Sequence, residues 1–367
     1  MNSLGFNKKC EDTKVIVAMS GGVDSSVAAV MLKKEGYDVT GITMNLYSQT
    51  ESKSSKSCCA GRDIEDAKKV AKQFDIRHIT LDYQENFFNG VIDNFVKSYQ
   101  EGETPVPCIQ CNQTVKFVDL LNEAKRMSAD TLVTGHYVRR LGDLKNAKLY
   151  KAKDTTKDQS YFLFATQKEQ LNYVRFPLGN YLKSEIRDMA KKYDLVVSDK
   201  PDSQDICFVT SKSYREFLEK IQPGINIKGD FIDIEGNILG SHTGIANYTV
   251  GQRRGLGLGG FEFPLYVVKI DKENNQVVLG NQEHLKKTTI NLKKINWLDD
   301  AIAKQNLKCY AKIRSTQKEE SGLLNISSNK AEFTFDNEIN NTSPGQACVF
   351  YLKDQVLGGG WITETQE

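Results

Sequence analysis

The sequence has no hydrophobic run approaching the roughly 20 apolar residues of a membrane span. Its opening residues, Met1 to Thr13, are polar and lack the apolar core of a secretion signal. Both absences point to the cytoplasm and away from a membrane. Charge is nearly balanced, a formal +2 over 367 residues, which leaves nucleic-acid binding open, because a basic patch on one face can be offset elsewhere. A Walker A nucleotide site is missing, since no Gly-Lys-Ser/Thr follows a glycine turn. Eight cysteines are scattered through the chain without a secretion signal, which argues against a disulfide framework and for reduced thiols. Neither an internal repeat nor a long low-complexity linker interrupts the chain.

What is present is 39% hydrophobic and 26% charged residues, ordinary for a globular protein, and enough length for two or three domains. The chain is organised around Val15-Ile-Val-Ala-Met-Ser-Gly-Gly-Val-Asp-Ser-Ser26. A buried strand, Val15 to Met19, breaks at Ser20-Gly21-Gly22 and passes into a helix. Two glycines let the backbone curl close to a ligand, and the free N–H groups of the helix start favour an anion. Ser20, Asp24, Ser25 and Ser26 add short polar side chains there. Against the reading as an ordinary strand-to-helix turn, the pattern resembles the Ser-Gly-Gly-x-Asp-Ser pyrophosphate loop of the ATP pyrophosphatase superfamily, whose members cleave ATP between its α- and β-phosphates to adenylate a substrate oxygen.

Strand-like and helix-like segments alternate from residue 14 to about 210. A helix is predicted from Asp24 to Glu35 with Gly36 as its stop, then a strand Val39 to Met44, a mobile loop Tyr47 to Ala60, and a helix Ile64 to Phe74. A strand around His78 to Leu81, helices Phe87 to Tyr99 and Val115 to Met127, and a strand Thr131 to Thr134 follow. This order predicts an α/β doubly wound parallel sheet, which binds ligands beyond the carboxyl ends of its strands. Past a last helix, Tyr214 to Ile221, the texture becomes short strands and Gly/Asn turns, including Gly251 to Gly260, Leu265 to Ile270, Cys309 to Ile313, Ala331 to Phe335 and Ala347 to Tyr351. The expected organisation is an adenylation and sulfur-transfer domain at 1–212, a small β-rich middle domain at 213–283 and a C-terminal β-barrel at 284–367.

Cys108-Ile-Gln-Cys111 follows the stiff Thr104-Pro-Val-Pro107 and precedes a helix expected to begin near Asn112. Cys111 would then sit at a helix N-terminus, where the dipole favours the thiolate, making it a candidate nucleophile. Half of a zinc site, a thioredoxin-like pair and plain buried cysteines compete with that reading; no second pair at metal-ligand spacing exists, and adjacent Cys58-Cys59 is a poor chelate. Cys207, in Ser203-Gln-Asp-Ile-Cys-Phe208, would alone be core. Beside an adenylating site, two such cysteines can carry sulfur as a persulfide and resolve it. Cys10, Cys58, Cys59, Cys309 and Cys348 are read as structural or incidental.

Together, Ala18 to Ser25, Gly41-Ile-Thr-Met44, Thr104 to Phe117, Thr134-Gly-His-Tyr-Val-Arg139, Lys157-Asp-Gln-Ser-Tyr-Phe162, Asp205-Ile-Cys-Phe208, Thr249 to Gly257 and Pro344-Gly-Gln346 resemble the bacterial tRNA-specific 2-thiouridylase family, which places sulfur at C2 of the wobble uridine. The resemblance implies that Ala18, Met19, Ser20, Gly21, Gly22, Val23, Asp24 and Ser25 hold the phosphates of ATP, and that Met44 and Gly135 line its adenosine pocket. Cys111 would be the nucleophile and Cys207 the persulfide carrier. Val106, Pro107 and Cys108 would meet the target base, while Lys157, Asp158, Gln159, Arg314 and Ser315 would contact tRNA; without the family, 157–159 reads as a solvated turn. Arg253 and Arg254, in what would otherwise be a flexible hairpin, suit phosphate contacts. Two departures stand out. Many members have Asn-Pro-Asp where this chain has Val106-Pro107-Cys108, so an aspartate base is not expected, and a common Arg-Tyr pair is Arg314-Ser315, which removes a stacking surface.

The mechanism implied is ATP binding with Mg²⁺, attack of the uridine C2 oxygen on the α-phosphorus, and sulfur delivery to C2 of a flipped-out base. Attack of Cys111 on a Cys207 persulfide, with a disulfide to be reduced afterwards, and release of hydrosulfide both remain open at this point. Implied partners are tRNA and a persulfide donor protein, with the chain a monomer. The rivals are another enzyme of the superfamily adenylating a small metabolite and a non-catalytic RNA-binding module.

Overall fold

The computed structural model describes residues 1–46, 61–202, 206–209, 213–299, 306–327, 330–340 and 342–363. The loop expected at 47–60, with Cys58 and Cys59, lies outside them, as do Ser203, Gln204 and Asp205. Two compact units result: residues 1–91, 108–210 and 354–356 form the first, and residues 92–107, 211–353 and 357–367 the second.

The first unit is built on a parallel sheet with strand order Arg77–Asp82, Asp38–Asn45, Lys14–Ala18, Thr131–Val133, Val174–Arg175. Val15, Ile16 and Val17 are all buried, as a central strand covered on both faces requires. The helix Val23–Lys34 places Val27, Ala28, Ala29, Val30 and Leu32 in the core and ends where Gly36 takes φ +88°. Gly61–Gln73 buries Ile64, Ala67, Val70 and Ala71, and Lys183–Lys192 adds Ile186 and Ala190.

Both mid-domain helices are less regular than the periodicity implies. The first runs Gln84–Phe87, a π-helical turn Phe88–Ile92, then Asp93–Gln100. The second runs Pro107–Cys111, a π-helical stretch Asn112–Asp119, then Leu120–Arg126. Wide turns of this kind concentrate at functional sites.

In the second unit, the helix Tyr214–Ile221 is capped by the Ser213 hydroxyl, which accepts from the Glu216 N–H at 3.3 Å. A four-stranded sheet of order Tyr266–Asp271, Gln276–Gly280, Gly229–Ile232, Ile238–His242 packs around Phe231, Val267, Val277 and Leu279. The segment 251–260, expected to contribute strand, contains none, because Gly251, Gly255, Gly257 and Gly260 all adopt positive φ and repeatedly turn the chain out of extension. The remaining strands form a closed six-stranded barrel in the order Lys287–Trp297, Lys330–Ile339, Glu320–Ser327, Leu307–Lys312, Ala347–Leu352, Gln355–Ile362, with first and last paired antiparallel. Closure leaves no unpaired edge. Phe333, Phe350, Leu324, Cys309 and Cys348 fill its interior, where burial pushes the Cys309 thiol up to about 12.

Candidate active site

The Ser20 turn connects strand Lys14–Ala18 directly to helix Val23–Lys34. The Ser20 N–H donates to the Ser25 hydroxyl at 3.1 Å, and that hydroxyl donates to the Gly22 carbonyl at 3.3 Å, so the motif's own side chains brace the curl. Gly21 has φ +73°, and a Cβ there would lie 2.1 Å from the Asp63 carbonyl oxygen. Gly22 caps the helix without a side chain, which leaves the first-turn N–H groups uncapped by the protein itself.

Met44 and Gly135 stand at the carboxyl ends of the strands on either side. Met44 is buried near the end of Asp38–Asn45, where Thr43 donates to the Met19 carbonyl at 2.7 Å. Gly135 follows Thr131–Val133, and a Cβ on it would come within 2.9 Å of the Ser25 nitrogen. From Lys14–Ala18 the chain builds the sheet outward on one side, then returns to start the other side at Thr131–Val133. The Ser20 turn and Gly135 therefore flank the switch point of the sheet, where such folds bind nucleotides. His136, the next residue, is buried beside Phe117 and Phe176 and bonds Thr134 at 2.8 Å; burial pushes its pKa well down, so it is a neutral support.

A charge network converges on the turn from far along the chain. Both oxygens of Asp24 accept from Lys183, at 2.7 and 2.8 Å, and the Tyr137 hydroxyl donates to one of them at 2.7 Å. Burial and the Asp24 charge push the Tyr137 phenol up, keeping it a donor. Asp202 receives three cations, Lys157 at 2.8 Å, Lys183 at 3.0 Å and Arg187 at 2.7 Å. Burial opposes ionisation of Asp202, but the Lys157 and Lys183 contacts outweigh it and hold the carboxyl at about 2. On the other flank, Lys200 donates to the Gly21 carbonyl at 2.8 Å and pairs with Asp63 and Asp66 at 2.6 and 2.8 Å.

Lys157, Asp158 and Gln159 are ordered by this same first unit. Asp158 accepts from the Ala152 N–H at 2.9 Å and the Ser160 hydroxyl at 2.6 Å, and Gln159 accepts from the Tyr137 N–H at 2.9 Å. The turn is braced rather than merely solvated.

Cys111 departs from its expected setting. Its helix begins at Pro107, because a proline at the first helical position loses no hydrogen bond. Cys111 thus lies at the far end of the first turn and a half, against the π-helical stretch, and not at an N-terminus. It is buried, and burial pushes its thiol up against a weaker opposing pull from Lys116. Beside it, Asn112 donates to the Phe162 carbonyl at 3.1 Å while its buried Oδ1 has no partner. Cys108 is exposed and Cys207 half-buried, next to Phe208, whose ring packs edge-on against Phe87 at 5.8 Å. Val106 and Pro107 belong to the second unit, as do Arg314 and the exposed Ser315. Arg314 donates to the Ser343 hydroxyl at 3.1 Å, and Ser343 donates to the Val250 carbonyl at 3.1 Å.

Three family models tile the chain: a tRNA methyl transferase HUP domain over residues 13–211, a tRNA methyl transferase PRC-barrel domain over 215–281, and an aminomethyltransferase β-barrel domain over 287–362. The tRNA-specific 2-thiouridylase MnmA of Paracoccus denitrificans is 48% identical over 99% of this chain and 95% of its own length. The chain belongs to the tRNA-specific 2-thiouridylase family. Members from Jannaschia sp. and Dinoroseobacter shibae are each 49% identical over 99% of the chain, covering 97% and 96% of theirs. The family's resemblance to this sequence, drawn from eight short motifs, thus extends end to end. The methyl-transfer wording of the domain models sits apart from the names of these relatives. A pyrophosphate turn with two cysteines in the same unit suits sulfur transfer.

Sequence reasoning missed Tyr137, Lys183, Lys200 and Asp202 as parts of this site. They reach the turn from 113 to 179 residues away or act through residues that do. Only Tyr137 lay inside a quoted motif.

Proposed function

We propose that this protein thiolates tRNA, adenylating the C2 oxygen of the wobble uridine with ATP and replacing it with sulfur to give 2-thiouridine. The observation that carries the proposal is the placement of the Ser20 turn, Met44 and Gly135 at the carboxyl ends of three neighbouring parallel strands, at the sheet's switch point.

ATP lies with its phosphates on the N–H groups of residues 20–25 and its adenosine between Met44 and Gly135. Hydrogen-bond donors fixed in place before the reaction stabilise charge as it develops on the departing pyrophosphate. Among the described residues no cluster of three metal-ligating side chains is present, and Asp24 is already held by Lys183 and Tyr137. The fold offers no dedicated seat for magnesium, which would arrive on the nucleotide's own phosphates.

The uridine C2 oxygen attacks the α-phosphorus and pyrophosphate leaves. Cys207, half-buried, is loaded by a persulfide donor protein; the terminal sulfur of its persulfide attacks C2 and AMP departs. Cys111 then attacks Sγ of Cys207, the sulfur–sulfur bond to the base breaks, and 2-thiouridine is released with a Cys111–Cys207 disulfide that a dithiol reductant must reopen. The burial of Cys111 fits this order, because a thiol kept protonated until RNA binding does not react before the base is adenylated. Lys157, with Arg314 and Ser315, contacts the RNA, while Val106, Pro107 and Cys108 meet the base. Asp158 and Gln159 serve that contact by shaping the turn. The chain acts as a monomer.

Thiolation of unmodified tRNA with ATP and a protein persulfide donor tests these roles. Cys207→Ser and Cys111→Ser should each abolish 2-thiouridine while tRNA-dependent AMP release survives. Normal thiolation by either variant would remove that cysteine from the mechanism.

A further inference from the structure

The pyrophosphate turn contains no lysine of its own, yet the fold delivers one to it. Lys183 opens the helix Lys183–Lys192, its side chain is 11% exposed, and its ammonium bonds both oxygens of Asp24 in the first turn of the phosphate-binding helix. Its third contact is Asp202 at 3.0 Å. Its position is over-determined: the backbone N–H donates to Asp154 at 2.9 Å, and the ammonium lies 5.6 Å from the centre of the Tyr137 ring.

An ordered carboxylate beside an anion site repels its ligand. Asp24 occupies that place, and Lys183 is the cation that faces it. Lys200, the other ammonium at the turn, already spends its contacts on the Gly21 carbonyl, Asp63 and Asp66. Arg187 and Lys157 reach Asp202 but have no recorded bond to the turn. Lys183 alone among these joins the turn to a second carboxylate that can hold it when no nucleotide is present.

We propose that Lys183 is the phosphate-binding lysine of this site: parked on Asp24 and Asp202 in the free protein, it donates to the β- and γ-phosphates of ATP and to the departing pyrophosphate. It rests on the reading of the Ser20 turn as an ATP site. No covalent bond forms; one ammonium N–H exchanges a carboxylate oxygen for a phosphate oxygen, and the remaining bond to Asp24 keeps the nitrogen at the turn. The charge of an ammonium on a short alkyl stem is what a Walker lysine supplies within its loop. Here it is supplied by a helix that follows the sheet.

The test is the binding of inorganic pyrophosphate, ATP and AMP to the full chain by calorimetry, without tRNA. Lys183→Met should weaken pyrophosphate and ATP by about tenfold or more, the loss of a charge-assisted hydrogen bond, and leave AMP within about twofold. Equal weakening of AMP and ATP would assign Lys183 a merely structural role and overturn the proposal, as would unchanged pyrophosphate affinity. Asp202→Asn covers the case in which Lys183→Met fails to fold. With one of its two holders neutralised, Lys183 is freer to meet phosphate, so pyrophosphate should bind more tightly and AMP unchanged; weaker or equal pyrophosphate binding contradicts the account. Wild-type protein that binds ATP and pyrophosphate in this way but makes no 2-thiouridine would overturn the thiolation reading and leave Lys183 standing.

Discussion

Lys183 grips the Asp24 carboxylate by both oxygens, at 2.7 and 2.8 Å, across 159 residues of sequence. The contact ties the start of the phosphate-binding helix to a helix formed after the whole sheet. It is partly buried, with side-chain exposures of 11% and 32%, so removing one partner strands the other. Asp24→Ala should lower stability by roughly 2 kcal/mol, read as a shift in the urea midpoint.

Asp202 makes stability depend on acid. Burial works against its ionisation, but Lys157 and Lys183 hold its folded pKa at about 2, below the value near 3.9 of an unfolded aspartate. A depressed carboxyl contributes its full stabilisation above the unfolded value and loses it as pH falls through the folded one. The contribution is on the order of 2 kcal/mol, lost between about pH 4 and pH 2. Urea midpoints measured across that window should fall less steeply in Asp202→Asn than in the wild type.

Two glycines at the turn leave no room for a methyl group. Gly21→Ala would drive Cβ to 2.1 Å from the Asp63 carbonyl at φ +73°, and Gly135→Ala would bring it to 2.9 Å from the Ser25 nitrogen. Backbone must move in both cases, at a cost of about 1–3 kcal/mol for the milder Gly135→Ala and more for Gly21→Ala. ATP affinity should fall in both. Gly259→Ala, where the methyl meets nothing within 4 Å, should be near neutral by thermal melting and ATP binding.

The thiols should label in a fixed order. Cys108 is exposed, Cys207 half-buried and Cys111 buried with its thiol pushed up. Timed iodoacetamide labelling at pH 8, followed by peptide mass spectrometry, should modify Cys108 and Cys207 well before Cys111. Cys111 reacting first would mean that it is an accessible thiolate in the free protein.

Much of this site is legible in the sequence because its parts are local. The strand–glycine–helix punctuation at residues 15–26 specifies its own geometry, and each parallel strand announces itself as a short apolar run. The helix around Cys111 was misplaced, since Thr104-Pro-Val-Pro107 reads as a stiff loop although Pro107 is free to open a helix. Dipole reasoning about Cys111 then pointed the wrong way, with burial the larger influence. Lys183, Lys200 and Asp202 left no local trace at all: a lysine near the start of an amphipathic helix is commonplace, and only the folded sheet brings it to the turn. Glycine-rich 251–260 looked like a hairpin, but its left-handed residues deny it a ladder.

The central claim is best tested by the stoichiometry of a single reaction mixture. Unmodified tRNA, ATP, a protein persulfide donor and a dithiol reductant are incubated with the protein, and AMP, pyrophosphate and nucleosides are quantified by mass spectrometry. The account predicts one AMP and one pyrophosphate per 2-thiouridine, confined to the wobble position, with little AMP formed when tRNA is omitted. AMP release that ignores tRNA and follows a small metabolite instead, with no 2-thiouridine made, would contradict it.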